Sequence, residues 1–529
     1  MRLPSQLQGR KYIIFILLYW HISTVFSSPW LTPSESWTSS ANLAVKSDVA
    51  LLANYGLITA PILTWPMSWA NIGPALLTTN SKRRLLSLPV YVQQAYTRVV
   101  ARYQQSIQQK LLPAAYLSGG YNINPFRIFD YQPRSEFQGG ASLEKQGAHW
   151  AAKLAVDYGQ YNDVTGNVHL DDSYLYWFLG NWGFGFDKMN NWWSPGYSDS
   201  LILSANPPPL AKFTIQRMHA VPFQTKWLSW IGPWSFTTSL SMGGPEVPEP
   251  HPLIWLLNLS IRPLESVQFS FSKNAVFAGD KRHPTARMFG NLITSDDNCD
   301  PAIYGQEYCA KNTPGNELWE ITADWDWYKT WHIPANLYLQ TIFNDRIPSD
   351  SYLWVYDAWH SVFPTLNPPI PARTSFLAGA SSWFAVHDQL MRIYAEFEYT
   401  YQYAYYFWGE FESDIYGGGY PYVYYDKIIG SALGSETKGI TLGGILNQTN
   451  GNSLSAMARF LQLNEYDFTQ SVTYPFSKQD VLWLSITRYL LLPQALGQLS
   501  GQLGYVKSLR GAGLQSSPSV YITWVKNFT

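Results

Sequence analysis

From about Pro113 onward the chain alternates apolar and polar residues, and the alternation persists almost to its end. "WSFTTSLSM" sets Trp234, Phe236, Leu240 and Met242 against Ser235, Ser239 and Ser241. "LIWLLNLSI" puts Leu253, Trp255, Leu257, Leu259 and Ile261 on one side. In "ELWEITADWDW", Trp319, Ile321, Ala323, Trp325 and Trp327 oppose Glu320, Thr322, Asp324 and Asp326. In "MRIYAEFEYTYQY", Ile393, Ala395, Phe397, Tyr399 and Tyr401 oppose Arg392, Tyr394, Glu396, Glu398, Thr400 and Gln402. Successive side chains of a strand point to opposite faces, so a period of two predicts strands. A soluble sandwich alternates too. These runs, however, are roughly nine to eleven residues long, the length of a tilted membrane strand. Their polar faces carry charges in series and their apolar faces end in Trp or Tyr. That is the pattern of a barrel with a polar lumen, a lipid-facing band and aromatic girdles. The region has room for about 16 to 18 strands, and an even number is expected of a single-chain barrel.

Residues 28–113 follow a helical period instead. "SSANLAVKSDVALLANYG" offers serine N-caps, places Val45, Val49 and Leu52 on one face, and has Gly56 just past its end. "TWPMSW" is a turn or an extended piece. After Ser87 and Pro89, Val92, Tyr96, Val99, Tyr103 and Ile107 keep the spacing of an amphipathic helix that must pack on something. Two parts follow, a helical region over 28–113 and a barrel over 114–529.

Composition narrows the class. Only 14% of the 529 residues are charged, 16% are aromatic, and the net charge is −1. No basic excess points to nucleic acid. Few charges with many Trp and Tyr suit a secreted carbohydrate binder or a membrane β-barrel. Arg10 and Lys11, the apolar run "YIIFILLYWHISTVF", and Val25 with Ser27 read as a signal peptide over 1–27. Cys299 and Cys309 flank a short segment and are candidates for a loop disulfide. They lack the partners for a zinc site, and no motif calls for a metal or cofactor.

Several stretches resemble one family. "SDVALLANYGLITAPILTWPMSW" is similar to the N-terminal stretch of the Wzi-type capsule assembly proteins. "GNWGFGFDKMNNWWSPGYSDSLILSANPPP" resembles their Trp-Trp-Gly-Pro-Gly turn, with Ser194 where Gly is usual. "FSFSKNAVFAGDKR" and "YDKIIGSALGSETKGITLG" resemble later segments, with Ser431 where His often stands. Residues 345–371 match nothing comparable. The resemblance implies an outer-membrane β-barrel of 18 strands with a helical bundle on its periplasmic side. It also implies a lectin-like protein that holds capsular or related surface polysaccharide at the bacterial cell surface.

The candidate chemistry is that of binding. Trp192 and Trp193, with Asn191, Tyr197 and Asp199 nearby, offer flat rings for the apolar face of a sugar and polar groups for its hydroxyls. The same pair before the Pro195-Gly196 turn also suits a purely structural role, one ring in a girdle and one in the lumen. A place at the barrel rim is expected. Arg217, Glu320, Asp324, Asp326, Arg392, Glu396 and Glu398 are expected to form a solvated lumen network. Paired lumen carboxylates are also what glycoside hydrolysis requires, and "DKRHP" (Asp280, Arg282, His283) has the residue types of a barrel phospholipase. No nucleophile elbow, zinc-protease motif or phosphate loop accompanies them. The reading is a monomeric, non-enzymatic outer-membrane barrel whose partners are surface polysaccharide and membrane lipid. A solute channel and a barrel hydrolase are the competing classes.

Overall fold

The computed structural model describes residues 42–529 except 108–109, 125, 162–165, 295–300, 345–373, 401–419, 435, 465–477, 494–495, 512 and 529. The expected signal peptide, Cys299 and the 345–371 segment lie outside the described residues.

Eighteen antiparallel strands close into a barrel. The first six are β1 (Leu112–Tyr121), β2 (Phe137–Gln146), β3 (Trp150–Gly159), β4 (Tyr174–Leu179, with an outer extension Val168–His169), β5 (Trp182–Asp187) and β6 (Lys212–Arg217). Next come β7 (Trp234–Met242), β8 (Leu253–Leu264), β9 (Val267–Phe277), β10 (Asn316–Asp326), β11 (Ala335–Asn344) and β12 (Thr374–Val386). The last six are β13 (Gln389–Tyr399), β14 (Lys438–Asn447), β15 (Ser453–Leu463), β16 (Gln479–Leu491), β17 (Gln498–Arg510) and β18 (Ser517–Asn527). Each pairs with its sequence neighbour, and β1 closes on β18 with Ala114 opposite Asn527 and Tyr121 opposite Val520. Closure leaves no strand edge unpaired, which a bilayer demands because it offers backbone groups no water.

The alternation maps onto the wall. On β8, Leu253, Trp255, Leu257, Leu259 and Ile261 face outward, while Ile254, Leu256, Asn258, Ser260 and Arg262 are buried inside. On β10 and β13 the residues Glu320, Asp324, Asp326, Arg392, Glu396 and Glu398 all face the lumen. Arg217 does not. It shares parity with outward-facing Phe213 at the end of β6, so the expectation that it joins the lumen network is corrected. Its guanidinium lies 3.8 Å from the ring centroid of outward-facing Trp234 and donates to the Val221 carbonyl (3.0 Å). It is a cation at the membrane interface, where a long stem stays in apolar surroundings and the head reaches polar partners.

One end of the barrel carries two-residue links such as Gly180–Asn181, Glu265–Ser266 and His387–Asp388. Outer-membrane barrels keep short turns on the periplasmic side, so we assign this end to the periplasm and the longer loops to the outside. The N-terminal helices α1 (Leu43–Asn54), α2 (Gly73–Leu77), α3 (Thr79–Leu85) and α4 (Val90–Ser106) precede β1. On α4 the buried positions Val92, Ala95, Val99 and Tyr103 repeat at helical spacing, as the sequence predicts. Helix α1 is capped by Asn42, whose side chain accepts from the Val45 N–H (3.0 Å), rather than by a serine. Gly56 follows it in the left-handed region (φ 68°), which glycine adopts without a Cβ clash. The helix is buried on nearly every side, Lys46, Ser47 and Asp48 included. A helix buried all round is enclosed by protein; here the barrel wall encloses it.

Candidate functional site

The interior is the first place to look, and it is filled from both ends. The segment after α1 rises as a two-residue strand, Thr64–Trp65. The link between β5 and β6, residues 188–211, descends from the outer side and pairs with it antiparallel, Thr64 opposite Trp193 and Trp65 opposite Trp192. The adjacent tryptophans therefore sit inside the barrel where an outer loop meets the N-terminal region. Trp192 is 0% exposed and Trp193 3%, with Tyr197 and Asp199 equally buried. The expected rim position is corrected. Neither face of the segment meets solvent or lipid, so neither ring offers a surface to a sugar from outside. Of the five residues proposed from sequence, only Asn191 is partly accessible.

The wall residues hold this plug. Glu396 accepts from the backbone N–H groups of Tyr197 (2.7 Å) and Ser198 (2.8 Å), from the Tyr338 hydroxyl (2.7 Å) and from the Ser198 hydroxyl. Gln340 donates to the Trp193 carbonyl (2.7 Å) and accepts from the Leu201 N–H (3.0 Å). Asp324 takes the Gln268 and Asn336 amides at 2.7 and 3.2 Å, and Gln268 in turn accepts from the Ile62 N–H at 2.9 Å. Glu320 accepts from Ser272, Thr322 and Gln340, and Asp326 caps the short helix Trp327–Trp331. Arg392 donates to Ser47 of α1 (3.1 Å) and to Ser381 (3.2 Å), and Arg459 pairs with Glu398 at 2.6 Å. The network expected from sequence to be solvated is thus buried among protein groups. Buried carboxylates persist when donors replace water, and for Glu396, Asp324 and Glu320 the plug and the facing wall supply them.

From the helix side, Lys46 donates to the carbonyls of Ser194 (3.2 Å) and Gly196 (2.5 Å). Its ammonium lies 4.3 Å from the Phe129 ring centroid and 5.2 Å from that of Tyr197. Burial lowers its pKa to about 7, against the opposing pull of Glu396 and Asp324. The Trp192 indole N–H donates to Gly196 as well (3.0 Å). Burial also raises the Asp199 carboxyl, against Arg459 and the Ser431 hydroxyl that donates to it. Ser431 thus serves the plug at the position where the family often has His. Cavities beside this network measure about 30 and 10 Å³. The larger, between Lys46, Trp65, Tyr197, Asp324, Tyr338 and Arg392, holds a water-sized group and no sugar ring.

A ligand larger than a water molecule would therefore have to meet the outer surface. There, the residues after 419 fold down onto the plug. Tyr422 donates to the Ile202 carbonyl (2.6 Å), and the Ser204 N–H donates to Ile429 (3.0 Å). This seats a small hairpin, Val423–Tyr424 paired with Lys427–Ile428. Its turn residues Tyr425 and Asp426 have φ of 48° and 56°, a left-handed pair. Two-residue hairpin turns favour that geometry, but a tyrosine there is strained and marks a position worth explaining by function. The Tyr425 N–H donates to Glu246 (2.5 Å), and its ring meets Tyr424 edge-on at 4.6 Å. Burial, then Tyr425, Glu246 and Asp171, push the Tyr424 hydroxyl above its usual range, which places those groups together. Asp171 pairs with half-buried Lys188 at 2.8 Å, and Asn190 receives Arg134 at 3.4 Å. A partly accessible tyrosine ring amid exposed Glu246 and Asp426 combines the flat apolar and hydrogen-bonding groups a sugar needs. Sequence reasoning passed over this hairpin, although "VYYDKI" carries its alternation and its turn Asp. The "DKRHP" cluster does not assemble as a catalytic group. Asp280 pairs with His251 (2.8 Å), and Arg282 donates to the Thr313 carbonyl. Cys309 is disulfide-bonded. Among the described residues no cluster is placed to hold a metal ion.

Fold and site together define an outer-membrane β-barrel with a plugged lumen and a structured outer surface. The chain belongs to the family described as capsule assembly protein Wzi, whose model matches residues 128–487. In structure it is similar to Wzi of Escherichia coli, an outer membrane protein involved in group 1 capsule assembly and described as a carbohydrate-binding β-barrel. That likeness has a TM-score of 0.71 at 18% identity, over 92% of this chain and 98% of that one. In sequence it is similar to an uncharacterized 55.8 kDa protein of the cps region of Klebsiella pneumoniae. The two are 24% identical over 309 residues, and the match spans 57% of each chain.

Proposed function

We propose that this barrel binds capsular or related surface polysaccharide on its outer face and helps assemble or retain that layer, without catalysis. The observation that carries the reading is the filled lumen beneath a loop surface with an accessible aromatic hairpin, in a chain of this family. A plugged interior disfavours a solute channel. The lumen carboxylates serve as anchors: Glu396 and Glu320 spend their lone pairs on plug and wall donors. A hydrolase needs two carboxyls flanking an open space for the scissile bond, and these two flank packed protein. The hairpin Tyr425–Asp426, with Glu246 beside it, is the proposed contact.

The test is binding of detergent-folded protein to surface polysaccharide from its own cells. Tyr425→Ala and Asp426→Ala should lose saturable binding while keeping heat-modifiable folding, and Trp192→Phe should keep it. Full binding by a folded Tyr425→Ala, Asp426→Ala double variant would remove the hairpin from the site. Absence of binding by the wild-type protein would sink the functional reading itself.

A further inference from the structure

The outer wall of β8, β9 and β10 holds something a lipid-facing wall does not ordinarily carry. Lys273 lies between Phe271 and Ala275 on the outward parity of β9, and Glu317 precedes outward-facing Trp319 on β10. The two pair at 2.6 Å, and both are buried although they point away from the lumen. Charges facing hydrocarbon are costly. They are covered by a helix from the link between β9 and β10, α5 (Ala286–Thr294). Met288 and Leu292 pack onto Ala275, Phe277, Leu253 and Trp255, and Lys273 donates to the Leu292 carbonyl. The loop thus folds over the outside of the barrel near its outer end, instead of rising into solvent.

The helix has two unlike flanks. Arg287 and Asn291 form one, engaged with the neighbouring helix α6 (Gln306–Asn312): Arg287 stands over the Tyr308 ring (5.3 Å), and Asn291 donates to the Asn312 carbonyl (3.2 Å). Phe289 and Ile293, four residues apart, form the other and are 42% and 55% exposed. Phe289 rests against Trp255 at 5.6 Å between ring centroids. Trp255 is itself part of the outward apolar band that runs down β8 through Leu257 and Leu259. The exposed flank therefore continues the lipid-facing surface without a break. An amphipathic helix with this division lies in the plane of a membrane interface.

We propose that α5 is an in-plane membrane helix seated in the outer leaflet, its Phe289–Ile293 flank in contact with lipid acyl chains. The helix widens the barrel's lipid contact on this side and seals the Lys273–Glu317 pair from hydrocarbon. A photo-crosslinking amino acid placed singly at 289 or 293, in the full chain folded into bilayers of labelled lipid, tests this. Position 259, in the middle of the lipid band, is the positive control, and exposed Glu307 the aqueous one. The expected result is a lipid adduct at 289 and 293 with a yield comparable to 259, and none at 307. A lipid adduct at 259 but none at 293 or 289 would overturn the proposal. So would a protein adduct at 293, which would make the flank a protein interface, a second copy of this chain included. Only the heat-modifiable folded species is read; should the 293 derivative not fold, the 289 derivative reports the same flank.

Discussion

At the scale of single residues, Lys46 is the most exacting member of the plug. Its ammonium stem is enclosed by Phe129, Trp192 and Tyr197, and its donors serve the turn that follows the tryptophan pair. With a folded pKa of about 7 against an ordinary 10.5, the unfolded chain binds more protons between those values. Stability therefore rises with pH across that window, by roughly 1.4 kcal/mol per unit where the difference in protonation is complete. Asp130, raised by burial to about 7 from 3.8, acts with the opposite slope and only below that point. Unfolding of Lys46→Met, followed by heat-modifiability between pH 7 and 9.5, should show a flatter profile than the wild type. It should also be weaker by about 1–3 kcal/mol at the upper end, because the Ser194 carbonyl loses its donor. An identical pH slope in both proteins would assign the titration elsewhere. Trp192→Ala belongs to the same scale. Removing a fully enclosed indole leaves a cavity between Phe129 and the Gly196 turn, at a cost of about 3–5 kcal/mol. Its unfolding midpoint should fall well below that of Trp192→Phe.

At the scale of elements, the descending loop 188–211 is anchored along its length, and Glu396 engages its turn through three donors. Glu396→Gln keeps the shape but offers one acceptor oxygen and sets an N–H₂ against N–H donors. Faster proteolysis of that loop in the folded barrel, with cleavage inside 188–211, is the expected outcome; an unchanged digestion pattern would show that the other anchors, Gln340, Lys46, Tyr422 and Ser431 among them, hold the loop without Glu396. The element scale also shows what the sequence could convey. Strands β8, β10 and β13 were legible because a wall between lipid and lumen writes two different faces into every second residue. Arg217 was legible by the same parity, through Phe213, but was read by its charge instead. The stretch Asn191–Ser204 was not legible, because both faces of Trp192–Trp193 are buried and burial on both sides leaves no alternation. Helix α1 carries the face its sequence shows and a second one the sequence does not show as buried. Val45, Val49 and Leu52 share a buried face, and its polar residues are enclosed too: Ser47 bonds to Arg392 of the wall, and Asp48 to Asn447 of the wall and Arg98 of α4. For the outer hairpin, Asp426 is a local turn signal, but the exposure of Tyr425 follows from how the loop seats on Ile202 and Ser204, a tertiary fact.

At the scale of the molecule, the question is whether so wide a barrel is shut. Barrels of 16–18 strands leave an aqueous channel unless something fills them. Here the filling comes from opposite ends and meets in the middle, so neither piece alone accounts for closure. Helix α1 is tied to the wall through Asp48, which takes the Asn447 amide at 2.7 Å, and to α4 through the pair of Asp48 with Arg98 at 2.7 Å. The outer loop is tied by Glu396 and Gln340, and Lys46 joins the two pieces. Single-channel recording in planar bilayers should therefore show essentially no steady conductance for the wild-type protein. Lys46→Met combined with Glu396→Gln removes one of the links between the pieces and one wall anchor, leaving the Thr64–Trp65 ladder and the strands untouched. That variant should show brief openings, since the loop can now leave the lumen while α1 remains held by Asp48. Replacing residues 191–206 by a short glycine-serine link should lengthen the openings further. Porin-like conductance from the unmodified protein would show that the plug yields under voltage, and would return the channel reading to first place. Silence from all three proteins, with folding intact, would mean that α1 alone closes the periplasmic end, and that the outer loop serves to seat the Tyr425 hairpin at the outer surface.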